Sequence, residues 1–399
     1  MDYTQASYLL RVRKAARYVA LYGLSRTLVK VRGQYHMKAA AEFAGARWVN
    51  DRCRDAGAAE RCVALIGCGN YAYSNIAYYL GKHAPRFLRL AYDRHPSRAM
   101  SLCKQYGGAA AISDWREILA DPQVKLVFIA SNHASHAQYA LACIEAGKHV
   151  HIEKPHVVDY AQLDQLAAAM RRHPEVKVFL GFNRPRSALF RQLQAALGKQ
   201  SGPLMINWFV GGHEIAARPW YFNANEGGVV LGNLCHWTDL TLHLVSLEKA
   251  FPCQIVPATP PGAAAEAVVS IIFADRSCAA ITFFSSKGHA FEGVRETLNI
   301  QRGELIANLS DFQTLSVEVG GRKTRTRLRH RDHGHEANIV NSLERSLDPA
   351  APGEDISYIT ATASLFLAVR EAIDQGRNVA LSWADAQRVS GRELRGCEV

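Results

Sequence analysis

Val63-Ala64-Leu65-Ile66-Gly67-Cys68-Gly69-Asn70-Tyr71-Ala72 passes from an unbroken apolar run into a pair of glycines and then a small residue. An apolar run without polar alternation suits a parallel strand covered on both faces. The glycines behind it suit a tight turn that opens a helix: Gly67 permits the turn, Gly69 lets backbone approach a pyrophosphate, and Ala72 lets the helix pack closely. The phosphates would then rest on the helix N-terminus, at Asn70 and Tyr71. A second run, Leu88-Arg89-Leu90-Ala91-Tyr92, ends in Asp93, 24 residues after Gly69. A carboxylate there binds ribose hydroxyls and repels a 2′-phosphate, which favours NAD, while the neighbouring Arg94 and Arg98 leave NADP use open.

Outward from this turn the alternation continues. Apolar runs at 62–66, 87–92, 126–130, 149–152 and 176–180 are separated by helix-like segments at 75–83, 98–106, 114–119, 136–146 and 161–172. Short buried strands alternating with amphipathic segments mean crossover units and a parallel sheet. The expectation for 61–182 is therefore a doubly wound Rossmann α/β domain. From 183 to 399 strands follow one another, at 204–210, 267–273, 278–284, 296–301 and 323–331, with helices at 186–197, 235–247, 335–347 and 358–373. That order predicts an α+β domain on an open, mainly antiparallel sheet. The last strand alternates Arg with Thr, Leu and His, so one of its faces would be basic throughout.

Residues 1–60 stand apart as a basic arm, with eleven Lys/Arg against five acids in a chain of 399 residues and net charge +11. A basic amphipathic helix is expected at 8–22 and a short strand at 27–31. The plain reading is an arm packed on this subunit or a neighbour; peripheral contact with a membrane surface or a partner enzyme is the alternative. Basic patches favour anionic partners without naming them. With 48% hydrophobic and 21% charged residues, disorder is excluded as the main character. No uncharged apolar run approaches about 18 residues, so no membrane span is expected. The charges at Arg11, Arg13, Lys14 and Arg17 interrupt any secretory core, which places the chain in the cytoplasm. Nine cysteines without a C-x-x-C pair read as reduced thiols. Nucleic acid binding lacks a recognisable module, and the spacing of His330, His333 and His335 reads as solvated loop histidines rather than metal ligands.

A second block carries a resemblance: Ala130-Ser131-Asn132-His133-Ala134-Ser135-His136, then 142–150 with its Ala146-Gly147-Lys148-His149-Val150, then Glu153-Lys154-Pro155. In this order the three resemble the Gfo/Idh/MocA oxidoreductases, from about residue 61 to the C-terminus. The resemblance implies that Ser131, Asn132, His136 and Glu153 border the dinucleotide, that Lys154 touches both the nicotinamide and the reacting hydroxyl, and that Pro155 is cis. A lysine there stabilises alkoxide character as hydride departs. A third block, Glu226-Gly227-Gly228-Val229-Val230-Leu231-Gly232-Asn233-Leu234-Cys235-His236-Trp237-Thr238-Asp239, is similar to the family's substrate helix, but the usual first Asp is Gly232. His236 then remains as the general acid/base, since imidazole titrates near neutral pH. Asp239, His133, Asn183 and Arg184 match positions that border the substrate, although a first-turn acid such as Asp239 also suits the helix dipole.

What the resemblance implies is an NAD-dependent oxidoreductase moving hydride between a secondary alcohol of a sugar, nucleotide-linked or free, and nicotinamide. The Gly232 variant resembles a subset associated with cell-surface polysaccharide metabolism. Two alternatives stay open: a redox-neutral sugar-modifying enzyme with tightly held NAD, and a non-catalytic NAD-binding subunit of a polysaccharide-assembly complex. The resemblance also implies a homo-oligomer, a dimer or tetramer joined through the second sheet.

Overall fold

Two sheets organise the chain, whose computed structural model describes residues 7–41, 45–50, 61–212, 222–259, 266–285 and 293–387. The first holds β1 (Arg47–Val49), β2 (Val63–Ile66), β3 (Leu88–Tyr92), β4 (Ala110–Ile112), β5 (Leu126–Ile129), β6 (His149–Ile152) and β7 (Val178–Leu180), in the order β1-β4-β3-β2-β5-β6-β7. Its strands run parallel except β1, which joins β4 antiparallel. The side chains of β2, β4, β5 and β7 are buried throughout, which is why these strands read as uninterrupted apolar runs. Ile66 pairs with both Tyr92 and Ile129, so the ends of β2, β3 and β5 lie level. Connections depart in opposite directions at that point, and a crevice opens there.

The second sheet holds β8 (Met205–Gly212), β9 (Cys253–Pro257), β10 (Glu266–Ile272), β11 (Cys278–Ser285), β12 (Arg295–Arg302), β13 (Leu305–Ser310), β14 (Thr314–Val319), β15 (Arg322–Arg327) and β16 (Val379–Leu381). Its order is β15-β14-β13-β12-β8-β11-β10-β9-β16, antiparallel apart from β8 with β11. Along β8, exposed Met205, Asn207 and Phe209 alternate with buried Ile206, Trp208 and Val210. One face is therefore core and the other open.

The helices are α1 (Tyr8–Tyr22), α2 (Leu24–His36), α3 (Ala77–His83), α4 (Pro96–Tyr106), α5 (Arg116–Ala120), α6 (His136–Glu145), α7 (Tyr160–Arg172), α8 (Ala188–Leu197), α9 (Cys235–Val245), α10 (Leu247–Ala250), α11 (His335–Leu347), α12 (Ile356–Gln375) and α13 (Trp383–Gln387). Among the described residues only α12 is long and apolar enough to cross a membrane. Most of it is buried against α7, α9 and β9, as a core helix is. The seven cysteines among the described residues are free thiols, and most are buried.

Three expectations need correction. Residues 27–31 belong to α2 rather than to a strand; Thr27, Gly33 and His36 are the buried residues of that helix. The apolar Leu28-Val29 pair misleads because packing on the glycine-turn helix, not β-propensity, decides this segment. The arm also supplies an edge strand, β1, which no periodicity announced. The basic strand at 323–331 stops at Arg327; it is an outermost strand with both faces largely exposed, while Arg331 turns inward to Asp311 at 2.8 Å.

Candidate active site

Gly67 has φ +89°, and a Cβ there would stand 2.5 Å from the backbone of Ala130 and Ser131. Only glycine allows the ends of β2 and β5 to approach so closely. A Cβ on Gly69 would meet nothing within 4 Å, so open space lies over the turn where a pyrophosphate would sit. Asp93 at the end of β3 accepts the Cys68 N–H through Oδ2 at 2.7 Å and the His95 N–H through Oδ1 at 2.8 Å. Its carboxylate ties the turn to the β3 end, and exposed Arg94 stands beside it. A tight turn, open space above it and a carboxylate at the neighbouring strand end fit a dinucleotide. The helix behind the turn begins as a π-helical segment, Ala72–Ile76.

The arm reaches this turn. His36 Nε2 lies 2.7 Å from the Cys68 carbonyl, its ring stacks on Tyr73 at 4.2 Å, and Arg26 donates to the carbonyl of Ser74 and to Asn75 Oδ1. A lone histidine in a basic leader carries no sequence signal for this contact.

The far wall comes from the ends of β5 and β6. His136 sits with Nδ1 2.8 Å from the Pro155 carbonyl and Nε2 3.1 Å from the Ser131 carbonyl. Burial lowers its pKa, and the neutral ring donates to one of the two carbonyls while packing both loops together. The Lys154–Pro155 bond is cis. Glu153 is buried beside His151 Nε2, 3.4 Å away, and beside the Tyr71 phenol, whose pKa burial and Glu153 raise. Asn132 Nδ2 donates to Glu226 Oε1 at 2.7 Å and the Ala134 N–H to Glu226 Oε2 at 3.3 Å. His133 Nδ1 donates to the Glu226 carbonyl at 2.9 Å, and burial together with Lys154 pushes its pKa down to about 3. His133 Nδ1 therefore ties the β5 loop to the 3-10 turn Ala224–Glu226. Glu226 heads the third sequence block, which gave it no role; its partners here come from the β5 loop.

Lys154 Nζ donates to the Gly232 carbonyl at 2.5 Å. Gly232 lies in a π-helical turn, Val230–Leu234, that runs directly into α9 and His236; such turns recur at functional sites. Where the family pattern has an Asp side chain, this chain offers the lysine a main-chain oxygen. His236 Nδ1 is buried with no hydrogen-bond partner among the described residues. Burial first, then the charges of Arg184 and Lys154, hold its pKa well below the usual range, so the ring is neutral at pH 7.

The expected substrate contacts Asp239, Asn183 and Arg184 are used differently. Asp239 accepts from Tyr358 Oη at 2.6 Å and Thr362 Oγ1 at 3.0 Å, which fixes α9 to α12, and burial raises its carboxyl to about 7. Its side chain is fully buried against α12. Asn183 is buried and donates to the His333 carbonyl at 2.6 Å. Arg184 is clamped to Glu296, with Nε to Oε2 at 2.8 Å and Nη2 to Oε1 at 3.1 Å, and lies over the Trp237 ring. Burial would raise the Glu296 carboxyl, but Arg184 and His333 outweigh it and hold it down at about 2.

The histidines expected to be solvated are not. His333 Nε2 lies 3.1 Å from Glu296 Oε1, and His335 Nδ1 lies 3.2 Å from the Tyr71 hydroxyl. Together with Arg184 they form a polar layer behind His236. The segment 330–335 reads as a hydrophilic loop because its partners come from β12 and the glycine-turn helix, remote in sequence.

Residues 61–182 match the sequence profile described as "Oxidoreductase family, NAD-binding Rossmann fold", the Gfo/Idh/MocA group. Residues 61–182 therefore form an NAD-binding Rossmann domain of the Gfo/Idh/MocA oxidoreductase type. An inositol 2-dehydrogenase of Mycolicibacterium gilvum is 26% identical over 203 residues, 50% of this chain and 57% of that enzyme. A myo-inositol 2-dehydrogenase of Thermotoga maritima is 23% identical over 304 residues, 72% of this chain and 89% of that enzyme. The WlbA dehydrogenase of Chromobacterium violaceum, solved with NADH and UDP-GlcNAcA, shares the fold at TM-score 0.66 and 18% identity, covering 80% of this chain and 96% of that one. Matched relatives in this family are dehydrogenases and oxidoreductases.

Proposed function

We propose that this chain is a Gfo/Idh/MocA oxidoreductase that moves hydride between a secondary alcohol of a sugar, in particular a nucleotide-linked sugar, and NAD. The observation that carries the reading is the convergence of Lys154 and His236, from opposite domains, on the π-helical turn at Gly232. NAD bound on the glycine turn supplies the hydride acceptor or donor. Lys154, whose ammonium already holds a carbonyl oxygen, exchanges that oxygen for the substrate hydroxyl and stabilises its negative charge as the proton leaves. Neutral His236 takes that proton in oxidation and returns it in reduction. Asn132 and His133 hold Glu226 and close the cleft from the β5 side, and His136 fixes the two loops between which Lys154 projects. Asn183 and Arg184 act through His333 and Glu296, as positioning residues.

Support for a nucleotide-linked sugar comes from the solved relative holding UDP-GlcNAcA, and cell-surface polysaccharide metabolism is the setting that the Gly232 variant suggests. The open face of the second sheet, with Met205, Phe209 and Ile306 more than half exposed, is the surface on which we place self-association with a second copy. Replacing Lys154 by Ala is expected to lower turnover about 100-fold or more while NADH affinity stays within about threefold. Near-normal turnover in Lys154→Ala would sink the assignment.

A further inference from the structure

A cavity of about 430 Å³ lies between the α1–α2 hairpin, α3, and the 330–336 segment. Five of its lining side chains are cations: Arg26, Lys30, Lys82, Arg184 and Arg331. Three of these are neutralised by carboxylates, Lys82 by Glu336 at 2.8 Å, Arg184 by Glu296 at 2.8 Å and Arg331 by Asp311 at 2.8 Å. The lining acid Asp332 is occupied by the backbone N–H groups of Ala188 and Gly334. The two cations on α2 are left over. Arg26 binds a backbone carbonyl and the Asn75 amide, with no carboxylate. Lys30, one helical turn on, has no hydrogen-bond or ion-pair partner among the described residues, and burial, with Arg26 adding to it, pushes its pKa down to about 7.

Like charges one turn apart repel, and a partly buried ammonium without a counter-ion is costly. Such an arrangement makes physical sense if an anion completes it. The cavity's inner wall points to which anion: Arg184, His333 and His335 line it and are also the groups whose charges act on His236. A ligand reacting at His236 and Lys154 would have its next group in this space. Hydroxyls of Tyr18, Tyr22, Tyr78 and Tyr79 add donors around it.

We propose that the N-terminal hairpin completes the substrate pocket, and that Arg26 and Lys30 bind a phosphate or diphosphate group there. The link to the substrate rests on the dehydrogenase reading; the anion site itself does not. The test is calorimetric titration of the full chain with inorganic pyrophosphate and, separately, with glucuronate, with NADH saturating the glycine turn. Wild type is expected to bind pyrophosphate one to one, Lys30→Met to bind it about 10-fold or more weakly, and Lys30→Arg to recover most of the affinity. Unliganded Lys30→Met should melt no lower than wild type, because it removes an unpaired, partly buried charge. Equal pyrophosphate affinity in wild type and Lys30→Met, or none in wild type, overturns the proposal. Binding of glucuronate in place of pyrophosphate overturns the phosphate assignment. Failure of NADH to bind, with Lys30-dependent pyrophosphate binding retained, would count against the dehydrogenase reading alone.

Discussion

The two walls of the cleft are made differently. The nucleotide wall is backbone: Gly67 against Ala130, the Cys68 N–H on Asp93, loops pinned by His136. The substrate wall is side chains brought from distant parts of the chain, Arg184 on Glu296 and His335 on Tyr71, 112 and 264 residues apart. A backbone site is specified by a short local string and leaves little freedom. A side-chain site spread over several elements can be rewired one residue at a time, as Gly232 in place of an acid demonstrates.

This contrast is breakable, most sharply at Gly67. Alanine there forces a Cβ against backbone at 2.5 Å and should cost about 4 kcal/mol or more, read as a collapse in melting temperature. Gly69→Ala, two residues away, meets only open space; stability should hold within about 0.5 kcal/mol, while NADH titration reads a large loss of affinity. If the two variants behave alike, the turn is not divided into a structural and a binding glycine.

On the substrate wall, Glu296→Gln leaves Arg184 buried without a counter-charge and should cost about 3–5 kcal/mol, measured by denaturant unfolding. A loss below about 1 kcal/mol would mean that water already screens this pair.

The smallest effect belongs to Asp239. Its folded pKa, raised to about 7 by burial, exceeds the ordinary carboxyl value of 3.8. The stability it contributes is therefore complete below that ordinary value and is lost as pH rises through about 7. Asp239→Asn should melt about 3 °C above wild type at about pH 8, with the gain vanishing toward pH 4. Glu354, also pushed up to about 7 by burial, keeps a residual slope in the same window. A gain independent of pH would mean that Asp239 is ionised in its pocket.

Most of the sheet architecture was legible because period and apolar runs are local properties. The glycine turn was legible for the same reason, and Asp93 and Lys154 entered as candidates from short strings of this kind. The role of Asp239 was not: its buried contacts follow from the arrival of Tyr358 and Thr362 on α12, 119 and 123 residues later. The helix at 27–31 and the buried histidines at 333 and 335 failed for a related reason, since their environment is supplied by other elements. The departure at Gly232 was visible in the sequence, but the carbonyl that replaces the missing acid became visible only with the π-helical turn.

The most direct measurement is native mass spectrometry and absorbance of the purified protein, followed by titration with NAD(H), NADP(H) and a panel of UDP-sugars. Co-purified or bound NAD, with one sugar nucleotide changing its redox state, is the expected result. A folded protein that binds no dinucleotide would contradict it and leave the glycine turn a purely structural element.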